Sequence, residues 1–304
     1  MDNTRLFDPN EINRRYLDSI LVEQRIIGSV LPGLETEFFG EHFTSPVMTP
    51  AFSHLPAYKG RELTGLEEYS IAAKNCGCAN WVGMMENDLF EKITDTGART
   101  VRIIKPYADK DKIFDQIAFA EKMGALGVGM DIDHVFGNGT YDVVLGEPMA
   151  PQSLDDLRAY VGSTKLPFAT KGVLSVKDAA LAAEAGAKAV VVSHHHGRLP
   201  SAVPPLMILP EIVKELEGSG MQIVVDCGME TGVDIYKALA LGADAASVGR
   251  ALLPGLEEKG AAGAQACLEK VIKELSMMMG STGFSTVDEI DCSALWIGGK
   301  HLHK

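Results

Sequence analysis

Eight short apolar runs dominate the sequence: Ser45–Ala51, Asn80–Met84, Thr100–Ile104, Gly127–Ile132, Pro167–Lys171, Ala189–Ser193, Gln222–Asp226 and Ala245–Gly249. None alternates strictly between apolar and polar residues, so each reads as a strand buried on both faces. Between them lie stretches with apolar residues three and four apart, as in Leu63–Asn75 and Lys112–Met123, with weaker versions at Asp155–Val161 and Ile235–Leu241. Val176–Ala185 is nearly all Ala, Leu and Glu, which favours helix, and Gly186 is placed to end it. Gly124 and Gly242 punctuate two other helices in the same way. Eight strand–helix units in 304 residues predict an α/β chain folded as a (β/α)8 TIM barrel, a fold of about 250 residues. The rival is a doubly wound open sheet, but the first strand is not followed by its Gly-x-Gly-x-x-Gly turn. Residues 1–42 read as a short helical cap, and 43–304 as the barrel with a closing helix, Ala261–Met279. No linker or low-complexity stretch divides them, so a single domain is expected.

Charge narrows the classes of function. The chain holds 28 Lys+Arg against 41 Asp+Glu, a formal net charge of −13. Phosphate-backbone binding needs a basic surplus, so nucleic acid is not an expected partner. No apolar run nears the roughly 20 residues that span a bilayer, and the first residues show no signal pattern. The five cysteines are scattered, with no Cys-x-x-Cys pair. They read as free thiols of a reducing compartment, which predicts a cytoplasmic protein.

In a barrel, function sits where the strands end at their C-termini. The polar residues there are Asp131, Asp133-His134, Lys171, Ser193-His194-His195-His196-Gly197-Arg198, Asp226-Cys227-Gly228 and Gly249-Arg250. Strands seven and eight often hold a phosphate. Gly228 and Gly249 would let backbone N–H groups approach it, Arg250 could pair with it, and a helix start near Thr231-Gly232 could add its positive end. Lys171 ends a buried strand and could form a Schiff base or sit beside an anionic cofactor. A histidine in the triple run suits a general base, and Arg198 suits a carboxylate clamp. Metal ligation by His194, His196 and His134 is the alternative, with Asp131 as a further ligand in a lyase or hydrolase.

These residues resemble the FMN-dependent α-hydroxy acid oxidase and dehydrogenase family. That family carries Lys-Gly on strand five, Ser-Asn-His-Gly-Gly-Arg on six, Asp-Gly-Gly-x-Arg on seven and Gly-Arg on eight. The counterparts here are Lys171-Gly172, Ser193–Arg198, Asp226-Cys227-Gly228-Met229-Glu230 and Gly249-Arg250. Leu157–Gly172, Asp234–Gly242 and Thr282–Leu295 add to the similarity, which runs over roughly residues 12–297. The resemblance implies FMN as cofactor, held by Lys171, Ser193, Asp226, Gly228, Gly249 and Arg250. It implies His195 as the base that takes the hydroxyl proton while hydride passes to the flavin, and Arg198 as the anchor of the substrate carboxylate. A lactate- or glycolate-like 2-hydroxy acid substrate and a homotetramer follow from it too.

The departures are specific. His194 and His196 replace the Asn and Gly that flank the catalytic histidine, and Glu230 replaces the strand-seven Arg. Arg102 and Ile104 stand for the strand-three Gln and Tyr, and Gly129 for the strand-four Thr. His134–Pro151 contains no second substrate arginine, and the N-terminal substrate tyrosine has no clear counterpart beyond nearby Tyr16. Three other readings therefore stand beside oxidation. They are a reduced-flavin isomerase resembling type 2 isopentenyl diphosphate isomerases, a metal-dependent barrel and a non-catalytic binding barrel.

Overall fold

The structure is a computed structural model describing residues 8–137 and 139–302. Eight parallel strands form one sheet: β1 (Val47–Met48), β2 (Asn80–Val82), β3 (Thr100–Ile104), β4 (Gly127–Asp131), β5 (Phe168–Val173), β6 (Ala189–Val192), β7 (Gln222–Val225) and β8 (Ala245–Ser247). Their order is β1-β8-β7-β6-β5-β4-β3-β2. The remaining seam, between β1 and β2, is joined by Thr49 N–H to the Ala79 carbonyl at 3.2 Å, with a parallel bridge from Phe52 to Val82 beyond it. The sheet is thus a barrel, as the eight apolar runs predict.

Side-chain parity decides what reaches the mouth. Met48, Trp81, Val101, Ile103, Ala169, Val191 and Val224 form an apolar plug inside the barrel. Two residues beyond plug positions, on the same side of each strand, lie Lys105, Lys171, Ser193 and Asp226, all buried. Asp131 is buried on β4 in register with Lys171. Outward-facing residues of the same strands pack under the helices in a second core.

The helices are α1 (Pro9–Ser19), α2 (Gly65–Cys76), α3 (Asn87–Asp95), α4 (Lys110–Lys122), α5 (Leu154–Gly162), α6 (Val176–Glu184), α7 (Pro205–Glu215), α8 (Gly232–Ala240), α9 (Leu253–Lys259) and α10 (Ala261–Thr282). Reciprocal side-chain caps start α2 (Thr64 with Glu67), α5 (Ser153 with Asp156) and α8 (Thr231 with Asp234). Among the described residues no helix is long and apolar enough to cross a membrane.

The segment before the barrel departs from the expected helical cap. Only α1 is helical. Thr36–Phe38 and Glu41–Phe43 pair as an antiparallel hairpin, and buried Phe38 meets Trp81 with ring centroids 5.8 Å apart. Aromatic residues at a tight turn suit a hairpin that stops the end of the barrel opposite the active-site loops.

Candidate active site

A cavity of about 330 Å³ opens at the strand C-termini, within the roughly 300–1,000 Å³ usual for small-molecule and cofactor sites. Lys105, His134, Lys171, His195, His196, Asp226, Cys227, Gly228, Ser247, Gly249 and Arg250 line it, with Phe52 and Met229 as apolar wall.

At one end four charged side chains interlock. Asp131 accepts from Lys105 Nζ at 2.7 Å and from Lys171 Nζ at 2.9 Å, and Asp226 lies 3.6 Å from Lys171. Burial would push the Asp131 carboxyl up, but Lys105, Lys171 and His195 outweigh it and hold it well below the carboxylate range. Burial likewise works against the Lys171 ammonium, and Asp131, Asp226 and Asp133 overcome it, so Lys171 stays charged. A charged, closely paired lysine is a poor nucleophile, which removes the Schiff-base option.

His195 stands beside this cluster. Its Nδ1 is 2.9 Å from Asp133 Oδ1 and 3.7 Å from Asp131 Oδ1. A carboxylate can only accept here, so Nδ1 carries the proton and, in the neutral ring, Nε2 is left as an acceptor. Asp133 has no role that its sequence position alone assigns. It stood at a strand end, but its pairing with a histidine 62 positions away depends on how β4 and β6 meet the mouth. His195, His196 and Gly197 have φ of 45°, 56° and 92°. Two non-glycine residues in the left-handed region mark stored strain of about 1–3 kcal/mol each, held by the Ser193 hydroxyl, which accepts from His195 N–H at 3.0 Å.

At the other end two turns lie open. The N–H groups of Gly228, Met229, Gly249 and Arg250 find no acceptor among the described residues, and a Cβ on Gly249 would meet nothing within 4 Å. The Arg250 guanidinium is set by His196 Nε2 at 3.1 Å and by Asn10 Oδ1 at 3.3 Å. Asn13 donates to the Cys227 carbonyl at 2.9 Å, and Arg14 donates to the Gly228 carbonyl at 3.3 Å. Asn13 and Arg14 therefore brace the turn that carries Glu230, and Asn10 sets His196 and Arg250. The helix start at Thr231-Gly232 is not part of the cradle. Asp234 accepts from Glu230 and Thr231 N–H, and Glu274 accepts from Gly232 N–H.

Arg198 is placed differently from expectation. It does not line the cavity. Its Nη2 donates to Asp142 Oδ2 at 2.8 Å and to the Phe136 carbonyl at 2.7 Å, which ties it to the loop after β4. The strand-three and strand-four correspondences also shift. Arg102 faces outward, fully buried, bonded to Asn87 and the Met85 carbonyl, and Ile104 shares its parity. At Gly129 an added Cβ would lie 2.2 Å from the Ala169 carbonyl oxygen, so that position can carry no side chain. The mouth positions are Lys105 and Asp131. The histidine metal set does not converge either. His194 Nδ1 accepts from Gly197 N–H and His196 Nδ1 meets Asn10. Among the described residues the grouping close enough to share an ion is Asp131, Asp133 and His195, and two ammonium groups already neutralise Asp131.

This arrangement has known relatives. The family profile described as FMN-dependent dehydrogenase matches residues 138–297. The chain belongs to that family. It is 40% identical over 169 residues to L-lactate oxidase of Nostoc sp., covering 55% of this chain and 46% of that protein. It is 28% identical over 292 residues to L-lactate oxidase of Lactobacillus jensenii, covering 85% and 70%. The chain thus spans less than half of the Nostoc protein. A solved mandelate oxidase variant with an FMN adduct superposes with a TM-score of 0.84 at 27% identity, covering 96% of this chain and 92% of that one. The site fits the family's cofactor on its own terms: a buried cation at one end, and four unpaired amides with a guanidinium at the other.

Proposed function

We propose that this FMN-dependent dehydrogenase family member oxidises a small 2-hydroxy acid. The observation that carries the reading is the His195–Asp133 pair, 2.9 Å apart, on the wall of a cavity whose other residues suit FMN. Bound FMN supplies the hydride acceptor. Lys171 would lie against the flavin ring, where a fixed positive charge favours the reduced anion. The open amides at Gly228, Gly249 and Arg250 would hold the phosphate. His195 Nε2 takes the substrate hydroxyl proton, and Asp133 keeps the ring oriented and stabilises the imidazolium that forms. The same family likeness carries the expectation of a homo-oligomer, which light scattering measures directly.

Purified protein should be yellow, and anaerobic addition of the right 2-hydroxy acid should bleach the flavin band. His195→Ala should keep the flavin and lose on the order of 10²–10⁴-fold in reduction rate. Protein that takes up no FMN on reconstitution, or a His195→Ala variant reduced at the wild-type rate, would overturn the reading.

A further inference from the structure

We propose that Lys105 is the residue that holds the substrate carboxylate, in place of the arginine clamp. The inference rests on the hydroxy acid reading and adds to it the group that selects an anion. Three observations lead to it. Arg198 is spent on Asp142 and the Phe136 carbonyl and does not line the cavity. Lys105 does line it, and its side chain is buried at the mouth-facing position of β3. An ammonium has three protons; Asp131 Oδ2 at 2.7 Å takes one, the tautomer of His134 with its proton on Nε2 takes a second at Nδ1, 3.0 Å away, and no further acceptor among the described residues takes the third.

The surroundings let Lys105 share its charge with a ligand. Asp131 is also bonded to Lys171 at 2.9 Å, so it stays compensated while Lys105 shares its charge with an incoming carboxylate. The orientation suits a hydroxyl and a carboxylate on neighbouring atoms. Lys105 and His195 both lie against the Asp131 carboxylate, at 2.7 Å and 3.7 Å. Lys105 and His195 therefore share one end of the cavity, where a small substrate can meet one with its hydroxyl and the other with its carboxylate. A single ammonium grips an anion as a point charge rather than as a planar fork. Selection then falls on charge and small size, with Phe52 and Val144 on the wall limiting the rest of the molecule.

The test is binding, read on FMN-loaded protein by the perturbation of the flavin spectrum. Pyruvate and oxalate are titrated against lactamide, the uncharged counterpart of lactate. Wild-type protein should prefer the carboxylates. Lys105→Met should weaken them on the order of 30-fold or more and leave lactamide within about threefold, and Lys105→Arg should restore much of the preference. Undiminished carboxylate affinity in Lys105→Met overturns the proposal, as does an equal loss for lactamide. If Lys105→Met does not retain flavin, a crystal structure of the wild-type holoprotein with pyruvate decides. A carboxylate on Lys105 Nζ supports the proposal, and a carboxylate on Arg198 overturns it. Carboxylates bound through Lys105 with no hydroxy acid able to bleach the flavin would sink the oxidation reading alone. Bleaching that is indifferent to Lys105 would sink this inference alone.

Discussion

At the scale of single residues, the site is governed by which charges are already partnered. Asp133→Asn would keep the contact to His195 but could present its amide N–H to Nδ1 and favour the wrong tautomer. Flavin reduction should then fall by about 10²–10⁴-fold with FMN binding unchanged, measured by anaerobic stopped flow beside a flavin-binding titration. His134 supplies a pH effect. Burial, then Lys105, Arg198 and His195, lower it to about 4 from an ordinary value near 6.5. Its folded pKa is depressed, so the unfolded chain binds the extra proton first as pH falls. The stability His134 contributes is full above about pH 6.5 and is lost on acidification towards pH 4. Denaturant midpoints should therefore drop across that window, and His134→Gln should flatten the drop. A slope unchanged in that variant would refute the assignment. His195, Lys171 and Arg250 stood out in the sequence as polar strand ends, and all three line the cavity. Asp133 was visible only as a polar strand end, and the place of Lys105 at the mouth depends on the parity of β3.

At the scale of elements, the helices follow their periodicity and caps closely, and the turns do not. The predicted Val176–Ala185 became Val176–Glu184, and Ala261–Met279 ran on to Thr282. No periodicity announces the turn after β7. There Cys227 has φ 71° and Gly228 φ 80°, and a Cβ on Gly228 would come within 2.6 Å of Asn13 Nδ2. Gly228→Ala should displace α1 and loosen the open amides. Flavin affinity should fall and stability drop by about 1–3 kcal/mol, seen together in a fluorescence titration and a thermal melt. The crossing of α9 and α10 is a second contact that local sequence does not announce. A Cβ on Gly263 would lie 1.9 Å from the Gly255 carbonyl oxygen, backbone that cannot swing away. Gly263→Ala should cost about 1–3 kcal/mol in chemical denaturation and leave flavin affinity largely intact, because the crossing lies outside the cavity.

At the scale of the whole molecule, the barrel is sealed at one end and chemically active at the other. The Phe38 hairpin and the interior plug exclude water below, which leaves the mouth as the place where interior-facing strand positions can carry charge. Phe38→Ala would open a void against Trp81 and cost about 3–5 kcal/mol, detected as a lower unfolding midpoint with the flavin site still competent. The long-range roles of α1 belong to this scale. Asn10, Asn13 and Arg14 reach the turns after β6 and β7 and the β8 arginine, across more than half the chain. An N-terminal segment read only as a cap therefore braces turns and a guanidinium that line the cavity.

The eight-strand barrel and the charged strand ends followed from the sequence, because strand burial and helix amphipathicity are local patterns with a fixed period. So did the resemblance to a flavin-using family, because the Lys-Gly, His-x-x-Arg and Gly-Arg segments keep their order along the chain. The tertiary structure alone decided which partner each cation takes. Arg198 is paired with Asp142, 56 positions earlier, and Lys105 stands at the mouth beside Asp131. Pairing of that kind depends on distances across the barrel, and no window of sequence contains them.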